Sequence, residues 1–108
     1  MTAVFVITFG IKDGKHAEFQ AIMKKFLKFK KANPKLFEGV GSWRIFQQEY
    51  GGVLGTYVEM VEFKSIEEME KISARIMKQK ETKEFFTEYH KIADPTTPIT
   101  QSIWNTVV

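Results

Sequence analysis

"GVGSWRIFQQEYGGVLGTYVEMVEF", residues 39 to 63, holds two runs of alternating character on either side of Gly51 and Gly52. Adjacent glycines supply the positive φ values that a two-residue hairpin turn demands, so the stretch reads as a β-hairpin with these two at its tip. Tyr50 then pairs with Val53, and every later pair has numbers that sum to 103. This register sets Trp43 against Met60, Ile45 against Val58 and Phe46 against Tyr57, all good cross-strand neighbours. It also sets Arg44 directly against Glu59, an opposite-charge pair within the sheet.

Working outward, "AVFVITFGI" (Ala3 to Ile11) is rich in β-branched and aromatic residues and reads as a strand apolar on both faces. Asp13 is placed to cap a helix in which Phe19, Ile22, Met23, Phe26 and Phe29 share one arc, with Lys24, Lys28 and Lys31 opposite. Asn33 and Pro34 end it. Beyond the hairpin, Ser65 and Glu68 form a capping box ahead of Met69, Ile72, Ile76 and Met77. The apolar phase fails at Lys80, so this helix must break near residues 79 to 82, with Thr82 as the expected cap of a short helix "KEFFTEYHKIA". "DPTTP" is an extended linker and "ITQSIWNTVV" a last strand.

The order strand, helix, strand, strand, helix, strand predicts an α+β, ferredoxin-like βαββαβ domain over residues 1–108, a four-stranded antiparallel sheet with helices on one face. In the 103 register one sheet face carries Trp43, Ile45, Val58, Met60 and Trp104, the other Val40, Phe46, Tyr57, Val61, Phe63 and Ile103. Both are apolar. Helices cover one only, so the second predicts a homodimer or higher assembly, with two sheets packed face to face.

Composition excludes several function classes. With no cysteine, there is no disulfide, thiolate metal site or cysteine nucleophile. Residues 12 to 35 carry eight lysines against Asp13 and Glu18. No aromatic or Gly-rich nucleic-acid signature accompanies them, so they read as a solvated helix face rather than a nucleic-acid surface. No basic leader or bilayer-length apolar run is present, and the expectation is a cytoplasmic protein that does not contact membrane.

"FGIKDGKHAEFQ" and "VEMVEFKSIEEME" resemble the strand-to-helix passages of the dimeric α+β barrel superfamily, nearest its antibiotic-biosynthesis-monooxygenase-like and NIPSNAP-like branch. The superfamily includes cofactor-free oxygenases of aromatic polyketides, haem-degrading enzymes, isomerases and many members of unknown activity. The haem-degrading pattern does not carry over. Its first-strand asparagine has no counterpart in "AVFVITFGI", its tryptophan at the third-strand exit meets Phe63, and its histidine meets Ile72 to Arg75. The resemblance thus implies a homodimer that binds a small organic molecule. It further implies a cofactor-free monooxygenase or isomerase acting on a small aromatic or carbonyl compound, or a non-enzymatic ligand-sensing or assembly module.

The candidate site residues are Arg44, Tyr57, Glu59, Asn105 and His16. In the 103 register, alternation collects Arg44, Gln48, Tyr57, Glu59, Gln101 and Asn105 on the face with Val61 and Phe63, and the resemblance turns that face toward the helices. Tyr57, Arg44 and Asn105 are suited to hold an enolate-like oxyanion, while the Arg44–Glu59 pair also reads as scaffold. His16 sits one turn before Phe19 at the rim of the helical arc. No residue qualifies as a catalytic base. No metal site is expected, because His16 and His90 are the only imidazoles and the ferredoxin-like order is read as starting both long helices from the same end of the sheet, with His90 far down the other limb.

Overall fold

"AVFVITFGI" forms β1 (Ala3–Phe9), the strand on which the rest is assembled. The computed structural model describes residues 2–49 and 55–107. After β1 come α1 (His16–Ala32), β2 (Trp43–Gln47), β3 (Tyr57–Phe63), α2 (Ile66–Met77), α3 (Lys80–Ile92) and β4 (Thr100–Asn105). The sheet has the order β2-β3-β1-β4 with every neighbouring pair antiparallel, the ferredoxin-like arrangement that the element order predicts.

The hairpin register differs from the sequence reading by one residue. Trp43 faces Val61, Arg44 faces Met60 and Ile45 faces Glu59, pairs that sum to 104. The bond from Gln48 N to Thr56 O continues this ladder. The connection between them, residues 49 to 55, holds an odd number of residues, whereas a two-residue tip with an unbroken ladder needs an even number. Gly51, Gly52 and the predicted Tyr50–Val53 pair lie outside the described residues. A slip of one residue turns a whole strand over. Trp43 and Ile45 therefore join Tyr57, Glu59, Val61 and Phe63 on the helix side, and Arg44 and Phe46 go to the other face. The predicted Arg44–Glu59 pair does not form.

The helices show further differences. Lys15, not Asp13, occupies the N-cap of α1, without a side-chain bond. Ser65 caps α2 as predicted, its hydroxyl accepting from Glu68 N at 3.1 Å. The break between α2 and α3 falls where the phase fails, but Gln79 is the N-cap and Thr82 is a buried residue inside α3.

Antiparallel β1 and β3 send α1 and α2 off opposite ends of the sheet, which corrects the expectation of a common end. The chain then returns: Lys12 N bonds Ile92 O at 2.9 Å, so the start of α1 and the end of α3 meet at one end. His16 and His90 thus belong to the same end.

The core lies between sheet and helices, around Phe9, Ile11, Phe19, Ile22, Tyr57 and Ile92. Phe26 joins it to a second aromatic group through Phe29, Phe37, Phe85 and Trp43, at ring separations of 5.3 to 6.3 Å. The opposite sheet face carries Val4, Val6, Val58 and Met60, with no helix over it, and leaves Phe46 and Trp104 47% and 51% exposed.

Candidate functional site

The helix-facing side of β3 presents Tyr57 and Glu59 two residues apart, so both side chains enter the space between sheet and helices. Each is held differently.

Glu59 lies between Ile7 of β1 and Ile45 of β2, its direct neighbours on the flanking strands. The indole Nε1 of Trp43 donates to its Oε2 at 2.9 Å, and no basic side chain pairs with it among the described residues. Burial among these apolar neighbours pushes its carboxyl above the usual carboxylate range, partly opposed by the indole bond. Trp43 is itself fixed, packed edge-on against Phe26 at 5.4 Å with the Lys30 ammonium 5.2 Å from its ring centre. On the helical side Tyr89 packs on Phe9 at 5.6 Å. Its phenol is raised by burial and then by the charge of Glu59, which places the two within electrostatic reach.

Tyr57 is only 5% exposed, stacked on Phe9 at 5.6 Å and against Phe19 at 4.7 Å. Its hydroxyl meets Nδ1 of His16, the first residue of α1, at 2.8 Å. Burial raises the Tyr57 pKa. Phenol and imidazole are therefore hydrogen-bonded at the sheet end where His16 reaches solvent.

Of the candidates read from the sequence, Tyr57 and His16 are brought together, and Glu59 lies on the same face of β3. Arg44 is on the opposite sheet face. Asn105 sits on the edge strand opposite Ala3, six residues along β1 from the Phe9 that faces Tyr57, roughly 20 Å away. Neither can hold the same oxygen as Tyr57. Trp43 and Tyr89 were missed. Tyr89 shares the helical phase of Phe85 and Ile92, a visible signal, whereas Trp43 needed the true register.

No group of three or more His, Cys, Asp or Glu side chains suited to a metal ion occurs among the described residues. A groove of about 270 Å³ runs between α1 and α3 on the outer surface, lined by Glu18, Lys25, Glu88 and Lys91 over Ile22 and Ile92. It is separate from Glu59 and Tyr57. No helix among the described residues is long and apolar enough to cross a membrane.

No family model and no curated protein matches the sequence. Solved structures match the fold over nearly the whole chain. A NIPSNAP family protein from Agrobacterium tumefaciens aligns at TM-score 0.77 and 13% identity, covering 98% of this chain and 86% of that one. A proposed antibiotic biosynthesis monooxygenase from Caulobacter crescentus aligns at 0.74 and 14%, covering 99% and 91%. A dimeric protein of unknown function and ferredoxin-like fold from Bacteroides fragilis aligns at 0.64 and 10%, covering 97% and 96%. At these identities the likeness is one of fold.

Proposed function

We propose that the protein is a homodimer that binds a small, partly apolar organic molecule between sheet and helices, with Glu59 as the base of a cofactor-free monooxygenase or isomerase. The observation that carries this reading is the Glu59 carboxylate itself: desolvated, without a cationic partner among the described residues, and held by one indole N–H. A carboxylate whose pKa is raised by apolar surroundings is a stronger proton acceptor than an ordinary one, and groups so perturbed concentrate at functional sites. A ligand C–H or O–H next to a carbonyl would pass its proton to Glu59. The resulting enolate or phenolate either takes a proton back at another carbon or combines with dioxygen. Trp43 fixes the carboxylate; Tyr57, hydrogen-bonded to His16, would face the ligand's oxygen.

A second reading is a ligand-sensing or assembly module. It is favoured by the ring-to-ring packing of Phe9, Phe19, Tyr57 and Tyr89, which fills the inner space with the protein's own side chains. Oxygen uptake and product analysis with a panel of phenols and β-dicarbonyl compounds separate the two. Turnover that is lost in Glu59→Gln supports the enzyme. Thermal stabilisation by a panel compound without turnover supports the module, and the absence of both overturns the small-molecule reading.

A further inference from the structure

The open sheet face is not uniformly apolar: Arg44 on β2 and Glu62 on β3 both project from it. Both are exposed, and neither side chain has an ion-pair or hydrogen-bond partner among the described residues. Two unpaired, opposite charges beside exposed apolar residues are a poor surface for a monomer and a specific one for a partner.

The ladder fixes where these groups lie. Across the strand order β4-β1-β3-β2 the face spans about 14 Å, at roughly 4.8 Å per strand, and the two-residue steps from Trp104 to Thr100 span about the same length. The face is therefore nearly square. Trp104 and Phe46 occupy opposite corners, Val6 and Met60 the middle, and Glu62 and Arg44 flank a third corner, one on each edge.

We propose that a second copy of this chain covers the face by a two-fold axis along the diagonal through that third corner, so that Arg44 of each copy pairs with Glu62 of the other. This rests on the homodimer reading above and adds the geometry. Turning the face over about that diagonal brings Trp104 of one copy onto Phe46 of the other. The same operation puts Glu62 within about 3 Å of the lattice position of the other copy's Arg44. Val6 and Met60 meet near the axis. A two-fold contact makes each cross pair twice. The strands of the two sheets then cross near 90°, an established sheet-packing geometry. Other axes through the centre of the face fail. An axis along the strands sets Glu62 over Val4 and Arg44 over Ser102; an axis across them sets Arg44 on its own copy, like charge on like. The other diagonal sets Arg44 near Thr8.

Sedimentation of the wild type and of Arg44→Glu, Glu62→Arg and the double swap tests the pairing, with circular dichroism confirming that each is folded. Each single swap is expected to raise the dimer dissociation constant about tenfold or more, by opposing like charges twice. The double swap restores opposite charges and returns it to within a few-fold of wild type. A dimeric wild type with unaffected single swaps, or a double swap as weak as the singles combined, overturns this pairing and leaves the dimer standing. A monomeric wild type at micromolar concentration overturns the dimer itself.

Discussion

On the sheet face that meets the helices, Tyr57 and Glu59 find hydrogen-bond partners in His16 and Trp43, at 2.8 and 2.9 Å. On the opposite face Arg44 and Glu62 find none among the described residues, and Phe46 and Trp104 remain about half exposed. The same four strands make both surfaces, and both carry large apolar side chains. What separates them is the treatment of polar groups. A polar group shut away from water must be satisfied from within the chain, so the helix face has the organisation of an interior. The open face has the composition of an interior but leaves its charges to be answered from outside.

The largest expected effect is on the open face. Replacing Met60 or Trp104 with aspartate would bury an unpaired carboxylate in the proposed interface, a cost of roughly 3–5 kcal/mol. Association measured by light scattering should weaken by a hundredfold or more, while the unfolding midpoint of the monomer changes little at Trp104. If both variants remain tight dimers, the open face is not the interface and the contrast between the two faces loses its functional meaning.

On the helix face, Trp43→Phe keeps the aromatic packing on Phe26 but removes the one hydrogen bond that the Glu59 carboxylate accepts among the described residues. Leaving a buried acceptor unsatisfied costs about 1–3 kcal/mol. Replacing Glu59 by leucine as well should recover most of this loss in denaturant unfolding, because both polar partners are then gone. Single and double variants of equal stability would show that Glu59 finds another donor or water. Tyr57→Phe is a milder form of the same experiment. His16 sits at the rim and can turn to solvent, so the loss should stay near the net value of one hydrogen bond, about 0.5–1.5 kcal/mol. A larger loss would mean that the imidazole is as enclosed as the carboxylate.

How much of this was legible in the sequence can be argued from β2. The order of elements was plain, because apolar period, capping box and proline stops agreed with each other. Ser65 and the break before Lys80 show that agreement. Register was not, and the reason is physical: β2 is apolar on both faces, with Trp43 and Ile45 on one and Phe46 on the other, so burial does not choose between two alignments one residue apart. The adjacent glycines then favoured the wrong one. Because β1, β3 and β4 do not depend on that turn, Tyr57, Glu59, Gln101 and Asn105 were placed on the correct face, and only the β2 members, Arg44 and Phe46 among them, were turned over. The site was therefore half visible, its carboxylate found and its partner misassigned.

The smallest expected effect is carried by its sign. Burial raises the carboxyl of Glu59 in the folded protein above the 4.5 of an ordinary glutamate. Folding therefore favours its protonated form. The stability that this preference contributes is fully present below the unfolded value and is lost as pH rises through the raised folded one. Glu59→Gln carries no charge at any pH, and its amide oxygen can still accept from Trp43. The difference in unfolding free energy, variant minus wild type, should accordingly rise from acid toward neutral pH and then level off. Comparing the two proteins at each pH cancels the titration of every other carboxylate, Asp94 with its lowered pKa included. A difference that falls with pH would mean that the ionised carboxylate is stabilised by a cation. Glu59 would then be a structural ion-pair member like those of an ordinary surface, and the distinction between a site-bearing face and a docking face would rest on the open side alone.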